Sequence, residues 1–168
     1  MHIDDPLLNI RPETGLDMDF LAQLYRSTRE DLLQTGLPES VLDSLIAMQF
    51  HAQHSGYRTR FPDADYDIIE SAGTAIGSLI VNRGADTIRL VNIALLPQER
   101  RRGHGRRLIL ALQDEALTSN KMLTLSVSSQ NLVAQRLYAT LEFTAVSNDG
   151  AYLEMAWSGS PIQQEVSG

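Results

Sequence analysis

The chain has no cysteine among its 168 residues. That excludes disulfides, thiolate metal sites and cysteine nucleophiles, and it suits a reducing compartment. It also lacks any apolar run approaching the roughly 20 residues that cross a bilayer. Its opening stretch, MHIDDPLLNIRPE, carries acids where a secretory signal needs a basic start and an apolar segment. Excess positive charge is missing too. A formal net charge of -7 argues against a surface built as a whole for nucleic acid or an anionic membrane. No internal repeat or linker interrupts the chain. With 43% hydrophobic and 21% charged residues it reads as an ordinary globular protein, long enough to bury a core unaided. The expectation is a cytoplasmic single domain over residues 1–157, with a polar, disordered tail over 158–168.

Periodicity supplies the elements. Leu7–Arg11 reads as a first strand stopped by Pro12. Phe20, Leu21, Leu24 and Tyr25 give a helix over Asp17–Arg26, with Asp17 or Thr14 as its N-cap. Val41, Leu42, Leu45, Ile46 and Phe50 stripe a second helix from Pro38 to His54, and Tyr57–Asp65 reads as a loop. Three segments rich in β-branched residues follow, Asp65–Ser71, Thr74–Arg83 and Thr87–Leu96, separated by AG and GAD turns. They predict an antiparallel meander. Gly103–Asn120 is a helix, Met122–Val127 a strand and Gln130–Leu141 a helix. Phe143–Ser147 and Tyr152–Trp157 close the chain as strands around an NDG turn. The strand–helix–strand unit around Gly103–Asn120 calls for a right-handed parallel crossover, hence a mixed sheet.

Against the acidic background, five of the eight residues from Arg100 to Arg107 are arginine, with Gly103 and Gly105 between them. The cluster lies where a strand ends and a helix begins. The first backbone N–H groups of a helix lack partners, and the helix dipole adds roughly half a positive charge there. Glycine lets an anion approach the backbone closely. Such a junction takes anions, most often phosphate, and arginines add charge-assisted bonds. A P-loop would need Lys-Ser/Thr after its last glycine, but Arg106 and Arg107 follow Gly105. A dinucleotide fingerprint would need a third glycine where Leu108 stands. What remains is Arg/Gln-x-x-Gly-x-Gly/Ala, which Arg100 to Gly105 fits.

The segment Ile93–Leu117 resembles the acetyl-CoA-binding motif of the GNAT superfamily of N-acetyltransferases. Downstream, LSVSSQNLVAQRLYATLEF is similar to a second motif of that family, with Asn131, Ala134, Leu137, Tyr138 and Phe143 at its spacing. The order of elements also matches, up to Trp157. The resemblance implies a single α/β domain with a mixed, mostly antiparallel sheet of about seven strands flanked by about four helices. It implies acetyl-CoA as co-substrate, no metal, a primary amine as acceptor, and direct transfer in a ternary complex. Ile93, Ala94 and Leu95 would lie against the pantetheine arm, where the fourth strand bulges and splays from the fifth, with one N–H near the thioester oxygen. Backbone N–H groups of Arg101, Arg102, Gly103, His104, Gly105 and Arg106 would hold the pyrophosphate. Arg100, Arg106 or Arg107 would reach the ribose phosphate. Asn131 would bond the arm, and Tyr138 would be the general acid for the leaving thiolate. A homodimer is compatible with the resemblance; nucleic acid and membrane are not implied as partners.

Blander readings compete at several positions. Arg101 and Arg102 also fit a solvated charge run, Tyr138 a half-buried core tyrosine, and Asn131 a helix N-cap. His51 and His54, three apart, read as a surface or core pair rather than metal ligands. Two departures from the family pattern matter. Glu142 stands where relatives have glycine before the phenylalanine. The fourth strand, Arg89-Leu90-Val91-Asn92, lacks the acid that many relatives place there. An alkyl amine near pKa 10.4 must lose a proton before it attacks, at a cost of about 4 kcal/mol near pH 7. Glu70, Asp67, Tyr57, His54 or water could take that proton, and the sequence does not rank them. The acceptor is not readable from the residues; the resemblance implies that it is bound in the region Leu32–Asp65, where His54, Tyr57, Arg58 and Arg60, with Tyr66 beside them, give polar and aromatic character. Two other functions stay open at this point: a non-catalytic acyl-CoA-binding protein of the same fold, and a nucleic-acid binder using Arg100–Arg107, which would show steep salt dependence.

Overall fold

The computed structural model describes residues 1–159, so the expected tail lies, from residue 160 on, outside the described residues. Seven strands form one sheet: β1 (Leu8–Pro12), β2 (Asp65–Ser71), β3 (Thr74–Arg83), β4 (Thr87–Leu95), β5 (Met122–Ser128), β6 (Thr144–Asn148) and β7 (Tyr152–Trp157). Their order is β1-β2-β3-β4-β5-β7-β6, and only the β4–β5 pair is parallel. The parallel pair flanks the long crossover that carries α4 (His104–Thr118). The other helices are α1 (Met18–Ser27), the single turn α2 (Glu30–Leu33), α3 (Glu39–Arg60) and α5 (Leu132–Thr140).

Local chemistry explains the turns. Ala72 (φ 50°) and Gly73 (φ 81°) both adopt left-handed dihedrals between β2 and β3, as a two-residue hairpin loop with the twist of its strands requires. Helices cover both faces of the central sheet, so β3 is buried without alternation from Ile76 to Val81. On one face Leu79, Val81, Ile88, Leu90, Leu123 and Leu125 pack beneath Leu108, Ile109 and Leu112 of α4. On the other, Ile68 meets Leu21 and Leu24 of α1 and Phe50 of α3.

Two irregularities place the functional groove. Ile80 pairs with Asn92 and Val81 with Leu90, so Val91 is an extra residue that bulges from β4. The parallel pairing of β4 with β5 runs from Thr87–Met122 to Leu90–Leu125 and stops there. Beyond Leu90 the strands part, and β5 continues only with β7, through Ser126–Glu154 to Ser128–Tyr152. Meanwhile β3 is held hard against the far end of β4. A Cβ on Gly77 would lie 2.2 Å from the Ala94 carbonyl oxygen, so only glycine fits there. The splay opens on the β5 side alone.

Three expectations need correction. The loop expected over Tyr57–Asp65 begins only at Phe61, because α3 continues to Arg60. Tertiary contacts hold that last turn, which has no apolar stripe of its own. Arg58 reaches Glu13 and lies 4.2 Å over the Tyr66 ring. The turn α2 went unseen in the sequence, and Phe143 is a buried core residue rather than the start of β6. The edge strand β6 is exposed along its whole length.

Candidate active site

A cavity of about 830 Å³ follows the splay. At one end it meets the loop before α4, through Arg100, Arg101 and Gly105. Its middle runs between Ile93, Ala94 and Leu95 of β4 and Asn131, Ala134, Leu137 and Tyr138 around α5. Its other end opens beneath α1 and α3, among Tyr25, Phe50, His54, Tyr57, Tyr66 and Glu13.

The α4 end is built from backbone. Arg101 (φ 61°) and Gly103 (φ 82°) are both left-handed, which turns successive N–H groups toward one side. The helix's first carbonyl acceptor is used only at Arg107, whose N–H bonds Gly103. No N–H from Arg101 through Arg106 makes a hydrogen bond to a described residue. Six consecutive free donors at a helix start fit a diphosphate well. A Cβ on Gly105 would meet nothing within 4 Å, so the approach there is open.

The arginine side chains divide. Arg100 lines the cavity, with Nε on the Leu95 carbonyl oxygen at 3.1 Å. Arg101 lines it as well. Arg102 points out and pairs with Glu99 at 3.7 Å, while exposed Arg106 has no acidic partner among the described residues. Arg107 does not fit its expected phosphate role. Its guanidinium folds back onto the Arg102 carbonyl oxygen (3.0 Å) and toward Asp5 (3.8 Å), bracing the loop instead. His104 is buried, its Nε2 is 3.3 Å from Glu99, and its Nδ1 has no partner; its side chain stays off the cavity wall. Of this segment Arg100, Arg101 and Gly105 line the cavity; Arg102, Gly103 and His104 do not.

Around α5 the N-cap reading of Asn131 holds. Its side chain accepts from the Ala134 N–H at 3.1 Å, capping the helix, and the residue also lines the cavity. Tyr138 is 8% exposed, stacked against Phe143 at 5.6 Å, and its hydroxyl has no partner among the described residues. Burial pushes its pKa above the ordinary tyrosine value, so the proton stays on at neutral pH. Glu142 is left-handed (φ 69°), the conformation for which relatives use glycine.

The far end answers where a base could sit. Glu70 binds Arg11 Nε at 3.1 Å, off the cavity wall. Asp67 follows Ile69 in facing α4, away from α1 and α3, and burial pushes its carboxyl up to about 6. His54 and Tyr57 do line the cavity. Sequence reasoning missed Glu13. Its side chain is 8% exposed and accepts from Arg58 and from His54 Nε2, the latter at 3.1 Å. No local signal could have revealed this pairing across 41 positions. The segment carrying Glu13 is anchored by Asp17, which takes two bonds from Arg11 (2.8 and 2.9 Å) and one from the Thr14 N–H. The Arg11 guanidinium above all, then the Thr14 N–H, hold the Asp17 carboxyl down at about 2.

A carboxylate on Nε2 fixes the imidazole tautomer with its proton there. In the neutral ring Nδ1 is then the acceptor, and it makes no hydrogen bond to a described residue. A neutral imidazole with a free, oriented lone pair can accept a proton. The cavity therefore holds a polyanion cradle, a slot between parted strands, a protonated hydroxyl and an oriented imidazole.

Residues 21–143 match the family model described as the acetyltransferase (GNAT) family. Among solved structures the fold is similar to that of PaiA N-acetyltransferase from Thermoplasma acidophilum in complex with coenzyme A. The two share 19% identity at a TM-score of 0.67, covering 90% of this chain and 98% of that one. An acetyltransferase from Thermus thermophilus is similar at 18% identity and TM-score 0.66, over 94% and 99% of the chains. YncA from Salmonella typhimurium, solved with its cofactor acetyl-CoA, is similar at 20% identity and TM-score 0.51, over 89% and 90%. No curated protein matches the chain in sequence.

Proposed function

The chain belongs to the GNAT family of acetyltransferases, and from that premise we propose that it moves the acetyl group of acetyl-CoA to a primary amine by direct transfer in a ternary complex. The observation that carries this reading is the continuity of one cavity from Arg101 and Gly105, within the run of free N–H groups at the start of α4, along the β4–β5 splay, to His54. A diphosphate at the cradle and an extended arm in the splay would leave the acyl end facing the imidazole.

Each residue then has a distinct task. The N–H groups of Arg101–Arg106 hold the diphosphate, helped by Arg100. Backbone groups of Ile93, Ala94 and Leu95 that face the splay have lost their β5 partners and pair with the arm; one N–H donor aimed at the developing oxyanion is worth about 3–4 kcal/mol in comparable sites. Asn131 adds a contact from the opposite wall. His54 Nδ1, oriented by Glu13, takes one proton from the bound ammonium to free the amine that attacks, which supplies the acid–base function that β4 lacks; the second proton, shed by nitrogen as the amide forms, restores the Tyr138 phenol after it has protonated the thiolate. As the nitrogen–carbon bond forms and the carbon–sulfur bond breaks, Tyr138 gives its proton to the departing thiolate. The chain has no cysteine to carry an acetyl group.

A steady-state analysis against a panel of amines tests this. Intersecting lines, with coenzyme A and the N-acetylated amine formed in equal amounts, are expected. Parallel lines with an acetylated protein would overturn direct transfer. Binding of acetyl-CoA without acetylation of any amine would favour the non-catalytic reading.

A further inference from the structure

A second cavity, about 510 Å³, lies on the α3 face of the sheet, lined by Arg60 and Phe61, by Arg89, Ser126 and Glu154 on the strands, and by Ser147, Asp149 and Tyr152 of the β6–β7 hairpin. The register places it next to the acceptor end of the first cavity. Tyr66, Ile80 and Asn92 are cross-strand partners and line the first cavity. Ser126 follows Leu125, the last β5 residue paired with β4, and is itself opposite Glu154. Leu123, Leu125 and Val127 point into the α4 core, so Ser126 points the other way, toward α3. The splay thus emerges between Asn92 and Ser126, and whatever amine reaches His54 has its remaining bulk beside this trough.

The chemistry of the trough restricts that bulk. Two arginines face two acids, and Arg89 is bound to Glu154 in a two-pronged pair, with Nη2–Oε2 at 3.1 Å. Formal charge cancels, so neither a polycation nor a polyanion gains a net field. The hydroxyls of Ser126, Ser147 and Tyr152 and the Arg60 guanidinium make no hydrogen bond to a described residue, and Asp149 uses one carboxylate oxygen only, for the Ala151 and Tyr152 N–H groups. The lining thus holds both free donors and free acceptors, as a ligand hydroxyl, which both gives and takes, requires. Phe61 and Tyr152 add apolar surface for a ring face. On the floor of the trough a peptide would find no free edge of β5, which pairs with β7 on one side and borders the splay on the other.

We propose that this trough is the acceptor's outer subsite and that it takes the neutral, hydroxylated body of an amine of the amino-sugar class. The proposal rests on the acetyl-transfer reading for the direction in which the amine points. Its test is binding, which separates it from that reading. Protein saturated with coenzyme A is titrated with glucosamine, n-butylamine, 1,4-diaminobutane and a glycyl-peptide amide, following backbone amide resonances. Glucosamine should bind at least about tenfold more tightly than n-butylamine, a gain of one to two net hydrogen bonds. It should move the amides of Ser126, Ser147 and Tyr152. In Ser126→Ala/Tyr152→Phe that advantage should vanish while n-butylamine binding stays unchanged. Tighter binding of the diamine or the peptide, glucosamine shifts confined to the first cavity, or an advantage that survives in the double variant would each overturn it. Selective glucosamine binding without any turnover would count against acetyl transfer and leave the subsite standing.

Discussion

The two ends of the main cavity are made in opposite ways. At the start of α4 the chain offers backbone: six N–H groups, two left-handed residues and a glycine whose Cβ position is empty, all within six consecutive positions. Beneath α3 it offers side chains, and the central pair, Glu13 and His54, is 41 positions apart. A backbone cradle serves any ligand with the same diphosphate. A side-chain end can be rebuilt without touching the cradle, which suits a fold that keeps one co-substrate and varies the other.

Substitutions can break or sharpen that contrast. The largest effects belong to the proton carriers. Tyr138→Phe should lower kcat about 100-fold and leave the stabilisation by acetyl-CoA intact; equal loss of both would make Tyr138 a packing residue only. His54→Gln should cost turnover about 10–100-fold while leaving the stabilisation by acetyl-CoA intact. Glu13→Gln, which leaves the imidazole in place but frees its tautomer, should fall between wild type and His54→Gln. Unchanged turnover in His54→Gln would return the base to water.

Asp67 gives a smaller effect, on stability alone. Below its ordinary value near 3.8 its carboxyl is protonated folded and unfolded, and it costs nothing. As pH rises toward about 6 the unfolded chain ionises while burial keeps the folded carboxyl neutral, so folding is progressively disfavoured, fully so above about 6. Asp67→Asn should therefore stabilise by about 1–2 kcal/mol at pH 7, a figure reduced for partial exposure, and by nothing at pH 3. Chemical denaturation at the two pH values reads this directly. Smallest is Glu142→Gly. A left-handed non-glycine costs about 1–2 kcal/mol and the looser unfolded glycine chain takes back about 0.4–1, leaving a gain of roughly 0–1.5 kcal/mol.

The same contrast explains what could be read from the sequence. The Arg100–Gly105 turn and the Asn131–Phe143 helix are contiguous, so their chemistry lies in local order. The meander was legible because β-branched runs and the AG turn follow local rules. By contrast, the last turn of α3 holds through Arg58 on Glu13 and over Tyr66, contacts with no sequence period. Reading Tyr57–Asp65 as a loop hid that turn, and with it the setting of Tyr57. Asp67 and Glu70 looked equal to His54 as bases because strand alternation alone does not say which face holds the cavity. Arg107 looked like its arginine neighbours until its guanidinium closed onto the Arg102 carbonyl oxygen.

The most direct test of the cradle is thermal unfolding with and without acetyl-CoA, on wild type and on Gly105→Glu. A side chain there meets nothing and needs no left-handed backbone, so the variant should fold while its carboxylate enters the cradle. Ligand at about 100 times Kd should stabilise wild type by about 2.7 kcal/mol, a Tm rise of roughly 5–10 °C for a domain of this size. The rise should be lost in Gly105→Glu. An equal rise in both proteins would place the cofactor elsewhere, and no rise in wild type would contradict the account at its root.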